Sequence, residues 1–210
     1  MDLQRRVTGI LTSPHAEWRA IADERTDIGS LYRDYIAVVA AVPAASLVLG
    51  LAVFGVPILG RWEMTAAISA GLASYVSALV STLLAALVLE RLAPRFQSHG
   101  DTAQTLKLVA YASTPVWVGG IVYLVIVLSP LIVVAGLYAI YLFYVGLPYV
   151  MKTPPEQVVP FMVVAAIAIV VLNIILRYAI TVVGVPASSD AERGDLMSET
   201  LIRRTLLKAA

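Results

Sequence analysis

The chain has 210 residues, of which 60% are hydrophobic and 14% are charged. A soluble domain is typically about 45–50% apolar and about 25% charged, so this composition excludes an ordinary water-soluble fold. The 15 basic and 14 acidic residues nearly cancel, which gives no basis for binding nucleic acid. Cysteine is absent, which excludes disulfides, thiolate nucleophiles and cysteine-ligated metal sites.

Long apolar runs dominate the sequence. Five of them have 20 residues or more, namely residues 35–59, 64–89, 108–128, 131–150 and 158–185. About 20 apolar residues form a helix that crosses the ~30 Å hydrocarbon core of a bilayer. The pattern therefore predicts an all-α, polytopic transmembrane bundle of five membrane-spanning helices. It divides the chain into a head (1–34), a membrane domain (35–185) and a polar tail (186–210).

The head is predicted to contain a short amphipathic helix. Its apolar residues fall on a stripe about 100° wide on a helical wheel, and they are Leu3, Val7, Ile10 and Leu11. Arg5 and Arg6 lie off the stripe, which suits an interfacial helix on an anionic inner leaflet. The alternative is a short helix that docks on a partner or frays. Farther along, Pro14 suits the first position of a helix, and Trp18 is expected to anchor at the headgroups.

The first four spans carry signals for packing. Pro43 predicts a kink in the first span, and Pro115 predicts a bend in the third. Small residues recur every four positions in the second span, at Ala70, Ser74, Ala78 and Thr82. Such a stripe favours close helix packing, and the alternative is a polar lining for a pore or lipid groove. The short Ser129 and Pro130 connection makes the third and fourth spans antiparallel neighbours.

Polar side chains in the last two spans are candidates for a functional role. Tyrosines of the fourth span, including Tyr138 and Tyr141, favour interhelical hydrogen bonds and interface anchoring, with a ligand groove as the alternative. Arg177 is the one charged residue within the five runs, and Asn173 lies one turn earlier on the same face. Arg177 is expected to snorkel to the interface. The alternative is a cation that faces a groove and meets a phosphate or lipid headgroup.

Basic residues predict the orientation of the chain. The head carries Arg5, Arg6, Arg19, Arg25 and Arg33. The positive-inside rule then places the N-terminus in the cytoplasm, together with the connection that holds Arg91 and Arg95. Five spans put the C-terminus outside, although the tail is also basic. The sequence shows no paired carboxylates, no catalytic triad and no metal-ligand spacing, so we predict no enzyme activity and no cofactor.

Several motifs resemble prokaryotic members of the Yip (Ypt-interacting protein) family. They are ILTSP at 10–14, LVAYASTPVWVG at 108–119, LYAIYLFYVGLP at 137–148 and MKTP at 151–154. The resemblance implies five spans, a cytoplasmic N-terminus and a bacterial inner membrane. Eukaryotic relatives act in vesicle traffic and associate with Rab-type GTPases, but this chain lacks their Asp-Leu-Tyr-Gly-Pro motif. Candidate functional residues are Tyr111, Thr114, Pro115, Tyr138, Tyr141, Lys152, Asn173 and Arg177.

Two functions compete on these observations. The first is a non-enzymatic membrane adaptor or scaffold that organises other membrane components, because the spans carry packing residues and no buried acids. The second is a small transporter, channel or lipid-handling protein, because the chain offers helix-interrupting prolines, tyrosines and Arg177. The expected partners are the lipid bilayer, a second copy or another membrane protein, and a bound lipid.

Overall fold

The computed structural model describes residues 2–56 and 60–182, and these residues form helices without a β-strand. In chain order the helices are α1 (Leu3–Thr12), α2 (Pro14–Asp23), α3 (Ile28–Phe54), α4 (Met64–Phe96), α5 (Thr102–Leu124), α6 (Ile126–Val150) and α7 (Pro155–Val182). Helices α3 to α7 contain the five segments that are long and apolar enough to cross a membrane. The prediction of an all-α bundle with five spans and a short N-terminal amphipathic helix is confirmed.

The two head helices pack on the protein. The apolar stripe of α1 faces the hydrophobic core, where Ile10 is fully buried and Leu3, Val7 and Leu11 pack around it. Pro14 occupies the start of α2, as expected for a residue without an amide hydrogen. Trp18 is fully buried, so its predicted role as a headgroup anchor is wrong. The hydrophobic effect favours burial of an apolar stripe against other apolar surface, and in this structure the stripe packs against neighbouring helices.

Helix α3 begins earlier than the apolar run that predicts it. The Asp27 carboxylate accepts a hydrogen bond from the Ser30 amide at 3.1 Å and caps the helix start at Ile28. The polar residues of its first turns remain exposed, where Arg33 and Asp34 pair at 3.0 Å. Pro43 lies inside the helix, and wider π-type turns occur at Tyr32–Ile36 and Gly50–Phe54.

Small residues bring α4 close to α3. A Cβ atom on Gly71 would lie 2.2 Å from Val48 Cγ2 and 3.1 Å from the Ala44 carbonyl oxygen. Of the predicted stripe, Thr82 is buried, Ala70 and Ala78 are half-buried, and Ser74 is exposed. Close packing therefore accounts for part of the stripe, but the face of closest contact is centred on Gly71.

Helix α5 lies at the centre of the bundle and is interrupted. Its α-helical hydrogen bonding stops at Ser113, resumes with Thr114 and Pro115, and gives way to a 3₁₀ turn over Gly120–Leu124. The break falls where Pro115 predicted a bend, because proline supplies no amide hydrogen. The turn into α6 comes at Val125, which is extended. Ser129 and Pro130 lie within a 3₁₀ turn at the start of α6 rather than in a hairpin loop.

Close contacts give the relative directions of the helices. Leu108 approaches Gly146 and Ala135 approaches Gly119, so α5 and α6 are antiparallel, as predicted. Tyr75 donates to the Ala37 carbonyl and Tyr32 donates to the Leu79 carbonyl, so α3 and α4 are antiparallel. Helix α3 runs parallel to α5, because Tyr35, Pro43 and Gly50 contact Thr114, Gly120 and Tyr123 in that order. The four spans thus alternate in direction.

Helix α7 is attached mainly through its first turns. Phe161 is buried and stacks on Phe96 with ring centroids 4.9 Å apart, while Val158 and Ala165 are also buried. Residues 2–56 and 60–172 belong to one compact unit.

Candidate functional site

A charged cluster joins the two head helices. Arg6 on α1 contacts Glu17 on α2 through Nη1 and Oε1 at 2.6 Å, and its Nη2 pairs with the Glu24 carboxylate. The Arg6 side chain is 12% exposed and the Glu17 side chain 18% exposed. Charge-assisted hydrogen bonds of this kind are the stronger ones, and partial burial limits their screening by salt. Arg6 therefore fixes the angle between α1 and α2.

A buried lysine ties the head to the membrane domain. Lys107 on α5 is 4% exposed, and its Nζ donates to the Ile21 carbonyl oxygen at 3.2 Å and to the Glu24 carbonyl oxygen. These two carbonyls lie at the C-terminal end of α2, where a helix leaves carbonyl groups without amide partners. A positive charge is also favoured at that end of the helix dipole. Lys107 thus caps a helix that lies more than 80 residues away in sequence.

Three aromatic rings pack beside this charged cluster, those of Trp18, Tyr35 and Tyr111. Tyr111 lies edge-on to Trp18 at 6.3 Å and to Tyr35 at 4.6 Å, measured between ring centroids. The guanidinium carbon of Arg6 lies 5.7 Å from the centroid of the Tyr111 ring. The Tyr35 hydroxyl shares a hydrogen bond of 2.6 Å with Thr114 Oγ1, and all these rings are buried. These rings therefore connect the head to the first span and to the third span through apolar contacts, a cation–π contact and a hydroxyl hydrogen bond.

Helix α6 closes the other side of the head. Tyr138 donates from its hydroxyl to the Leu11 carbonyl oxygen at 2.7 Å, which satisfies a carbonyl near the end of α1. Gly146 leaves room for Trp18, since a Cβ atom there would lie 2.8 Å from the indole ring. Tyr141 stacks on Tyr138 at 5.6 Å but is 41% exposed on the outer face of α6.

Together these contacts form a head interface, whose residues are Arg6, Glu17, Trp18, Glu24, Lys107, Tyr111 and Tyr138. Of the sequence-predicted candidates, Tyr111 and Tyr138 belong to it, and Thr114 and Pro115 lie buried directly beneath. The sequence interpretation missed Arg6, Glu17, Glu24 and Lys107. The only available sequence signal was that Lys107 is a charged residue at the edge of an apolar run. No local pattern identifies the partner of any of these charged residues.

The remaining candidates lie elsewhere. Lys152 is exposed in the connection between α6 and α7, with a left-handed backbone at φ 52°. That connection is tied to the loop before α5, because Thr153 and Ser98 share a buried hydrogen bond of 2.9 Å. Asn173 and Arg177 both lie on the last part of α7, where Asn173 has an interaction partner. The Arg177 side chain lies outside the described residues.

An apolar groove lies between three spans of the bundle. Its volume is about 400 Å³, and it is open to one side rather than enclosed. Helix α5 contributes Val109, Ala112 and Ser113, and the other walls come from α6 (Ala139, Ile140, Phe143) and from α7 (Met162, Val163, Ala165, Ala166, Ile169, Val170). Ser113 is the only polar residue in that lining.

The fold and the head interface together define a polytopic helical membrane protein whose N-terminal head is integral to its core. The chain belongs to the Yip1 domain family, whose sequence model matches residues 8–176. The match begins within α1 and ends within α7, so the head and all five candidate spans fall inside the family's domain. No curated protein and no solved structure matches the chain.

Proposed function

We propose that this Yip family protein is a non-enzymatic membrane adaptor that organises other membrane components. The unequal burial of its spans carries the proposal. In the most apolar window of α5, 67% of the residues are buried inside the described bundle, against 39% in α3, 22% in α4, 17% in α7 and 6% in α6. One span is the core, and the others turn broad apolar faces outward. Such faces suit contacts with other helices in the plane of the membrane.

The outer face of α6 is the strongest candidate for such contacts. The exposed residues of that face, away from the groove, are Val133, Val134, Leu137, Tyr141 and Tyr144. They occupy successive turns, so they form a continuous stripe along the helix. Tyr141 and Tyr144 add hydroxyl groups at one end of that stripe. A hydroxyl within a membrane gains from a partner on a neighbouring helix, which favours a protein neighbour over lipid tails at this end.

The polar groups of the spans support a structural role. The hydroxyls of Tyr32, Tyr35, Tyr75 and Tyr138 each bond to another helix of the chain. Within the described residues, these side chains hold helices together and do not line the groove. The competing function, passage of a solute, needs a polar path. The groove is lined almost entirely by carbon, so it favours contact with lipid over transport of a solute.

Extraction in native lipid tests the adaptor role. The full chain, extracted from its own membrane by an amphipathic copolymer, is expected to carry a stoichiometric protein partner or to form a defined oligomer. Mass measurement and identification of the co-purifying components give the result. A photocrosslinker on Leu137→Cys is expected to capture that partner, whereas one on Ile68→Cys, exposed on α4, is the control for random collision. A lone protomer without crosslinks at position 137 contradicts the proposal.

We also propose that the N-terminus is cytoplasmic and the C-terminus external, in a bacterial inner membrane. Cysteine labelling tests this because the chain has no cysteine of its own. Ser98 is a poor site, since it is buried against Thr153, whereas the neighbouring His99 is exposed. In intact cells an impermeant maleimide is expected to label Ser189→Cys, which lies outside the described residues, and not His99→Cys. Permeabilised cells serve as the control, and labelling of His99→Cys in intact cells reverses the topology.

A further inference from the structure

The groove between α5, α6 and α7 lies at the middle of all three spans. Ser113 is the central residue of Thr102–Leu124, and Ala139 and Ala165 lie close to the centres of Ile126–Val150 and Pro155–Leu176. Each lies 10 or more residues from either end of its span. At about 1.5 Å per residue, that distance is roughly 15 Å, which is half of a hydrocarbon core. The groove therefore lies near the middle of the three candidate spans, within their apolar segments.

Small side chains make the groove deep. Ala112, Ala139, Ala165 and Ala166 come from all three helices, so the walls recede where a larger residue would fill the space. Helix α7 is held close to the bundle by Phe161 and Ala165, which are buried. Beyond them Ala166, Ile167 and Val170 are exposed, so the helix does not close over the gap. Alanines on three separate spans therefore create the opening.

The residues that line the groove favour a hydrocarbon ligand over water or a polar solute. A water molecule in a protein cavity needs two to four polar partners, and this lining offers one polar side chain, Ser113. A volume near 400 Å³ is within the range of small-molecule sites. Beside the apolar segment of a membrane-spanning helix, the abundant apolar molecules are the acyl chains of lipids. A groove of this depth and composition therefore takes up a chain end in preference to water or a polar solute.

The shape favours an acyl chain over a partner helix. The lining on α7 extends from Met162 to Val170, which is about 12 Å of helix, and the lining on α5 and α6 is shorter. A transmembrane helix packs along most of a ~30 Å span. This groove is too short for such a contact, whereas a bent acyl chain can enter it from the side.

We propose that the groove binds the acyl chain of a phospholipid from the surrounding bilayer, as a site that retains lipid in preference to the outer faces of the spans. Because the lining is apolar apart from Ser113, recognition depends on the chain and not on the headgroup. The proposal does not depend on the adaptor role: a protein that binds a partner and one that does not can both hold this lipid.

Photolabelling of the full chain tests the site. The protein is reconstituted in vesicles of phosphatidylcholine and phosphatidylglycerol, at about 3:1, that contain a trace of phosphatidylcholine with a diazirine near the end of one acyl chain. After irradiation, mass spectrometry is expected to locate label on Ala139–Phe143 and Met162–Val170 at several times the level on the exposed outer face of α4. Excess unlabelled phosphatidylglycerol with the same acyl chain is expected to compete as well as phosphatidylcholine.

A filled groove provides the decisive comparison. Ala166→Phe places a ring in the groove from an exposed position, and Ile167→Phe adds a ring at the adjacent exposed position outside it. We expect Ala166→Phe to lower groove labelling at least fivefold and Ile167→Phe to leave it unchanged. Ala139→Leu, which fills the groove from α6, is expected to repeat the loss. Circular dichroism confirms that each variant remains helical.

Three results overturn the proposal. Equal labelling of the groove and the outer face of α4 means that the lipid there is ordinary solvent. Competition by one headgroup only places the recognition at the membrane surface. Disulfide-linked dimers of Ser113→Cys mean that a second copy covers the groove.

Discussion

Lys107→Met is expected to release the head helices from the membrane domain. The substitution keeps an unbranched side chain of similar length but removes the ammonium group that donates to the Ile21 and Glu24 carbonyls. Hydrogen bonds to a charged group contribute about 1.5–3 kcal/mol, and the two carbonyls would lose their donor at a helix end that is half-buried. At about 1.4 kcal/mol per factor of ten, local opening of α2 becomes about 10- to 100-fold more frequent.

Hydrogen exchange of the reconstituted protein measures that opening. Amides of α1 and α2 are expected to lose protection together, because Arg6 pairs the two helices through Glu17 and Glu24. Amides of α4 are expected to keep their protection, since the Lys107 ammonium donates to carbonyls at the end of α2. Lys152→Met is the matched control, because Lys152 is exposed in the connection after α6. Unchanged exchange in Lys107→Met, or equal loss in both variants, would show that the lysine does not hold the head.

Gly50→Ala is expected to destabilise the contact between the first and third spans. A Cβ atom at this position would lie 2.0 Å from the Tyr123 carbonyl oxygen, and a backbone atom cannot rotate away as a side chain can. Helix α3 must therefore move away from the 3₁₀ turn of α5. Extra atoms in a tightly packed contact typically cost about 1–3 kcal/mol. We expect a lower midpoint for thermal loss of helicity in nanodiscs, measured by circular dichroism.

Gly136→Ala is the matched control for that variant. Gly136 is a helical glycine of α6 with no atom within 4 Å of its potential Cβ position. Alanine is favoured over glycine inside a helix by roughly 0.5–1 kcal/mol, so this variant is expected to be neutral or slightly more stable. If both variants lower the midpoint equally, the close approach of Gly50 to Tyr123 is not what stabilises the bundle.

The apolar stripe on α1 shows what can and cannot be predicted from the sequence about the head. Leu3, Val7, Ile10 and Leu11 predict which face of the helix is buried, and that face is the one packed in the structure. The same periodicity results whether the stripe meets lipid headgroups or other helices, because it reports only that one face avoids water. Trp18 on α2 is buried against Tyr111 of α5 and Gly146 of α6, and only the structure shows this contact of the head with other helices.

Some residues of the candidate site could likewise be predicted from the sequence, and others could not. Tyr111, Thr114 and Pro115 stand out in sequence because polar and helix-breaking residues are uncommon inside an apolar run, and the structure places them beneath the head. Arg6 does not stand out, because charged residues are ordinary outside such runs, and Lys107 is set apart only by its position at the edge of one. Their importance comes from partners on other helices, and a single sequence contains no record of those pairings.

By itself, the sequence determined the number of spans, the α-helical class, the break near Pro115 and the antiparallel pairing of the third and fourth spans. These features follow from contiguous residues, because crossing a bilayer or breaking a helix depends on a short stretch of chain. Only the tertiary structure decided that the head is part of the core, that Lys107 caps α2, and that alanines on three spans leave an apolar groove between them. Each of these depends on residues far apart in sequence, which come together through the packing of the helices.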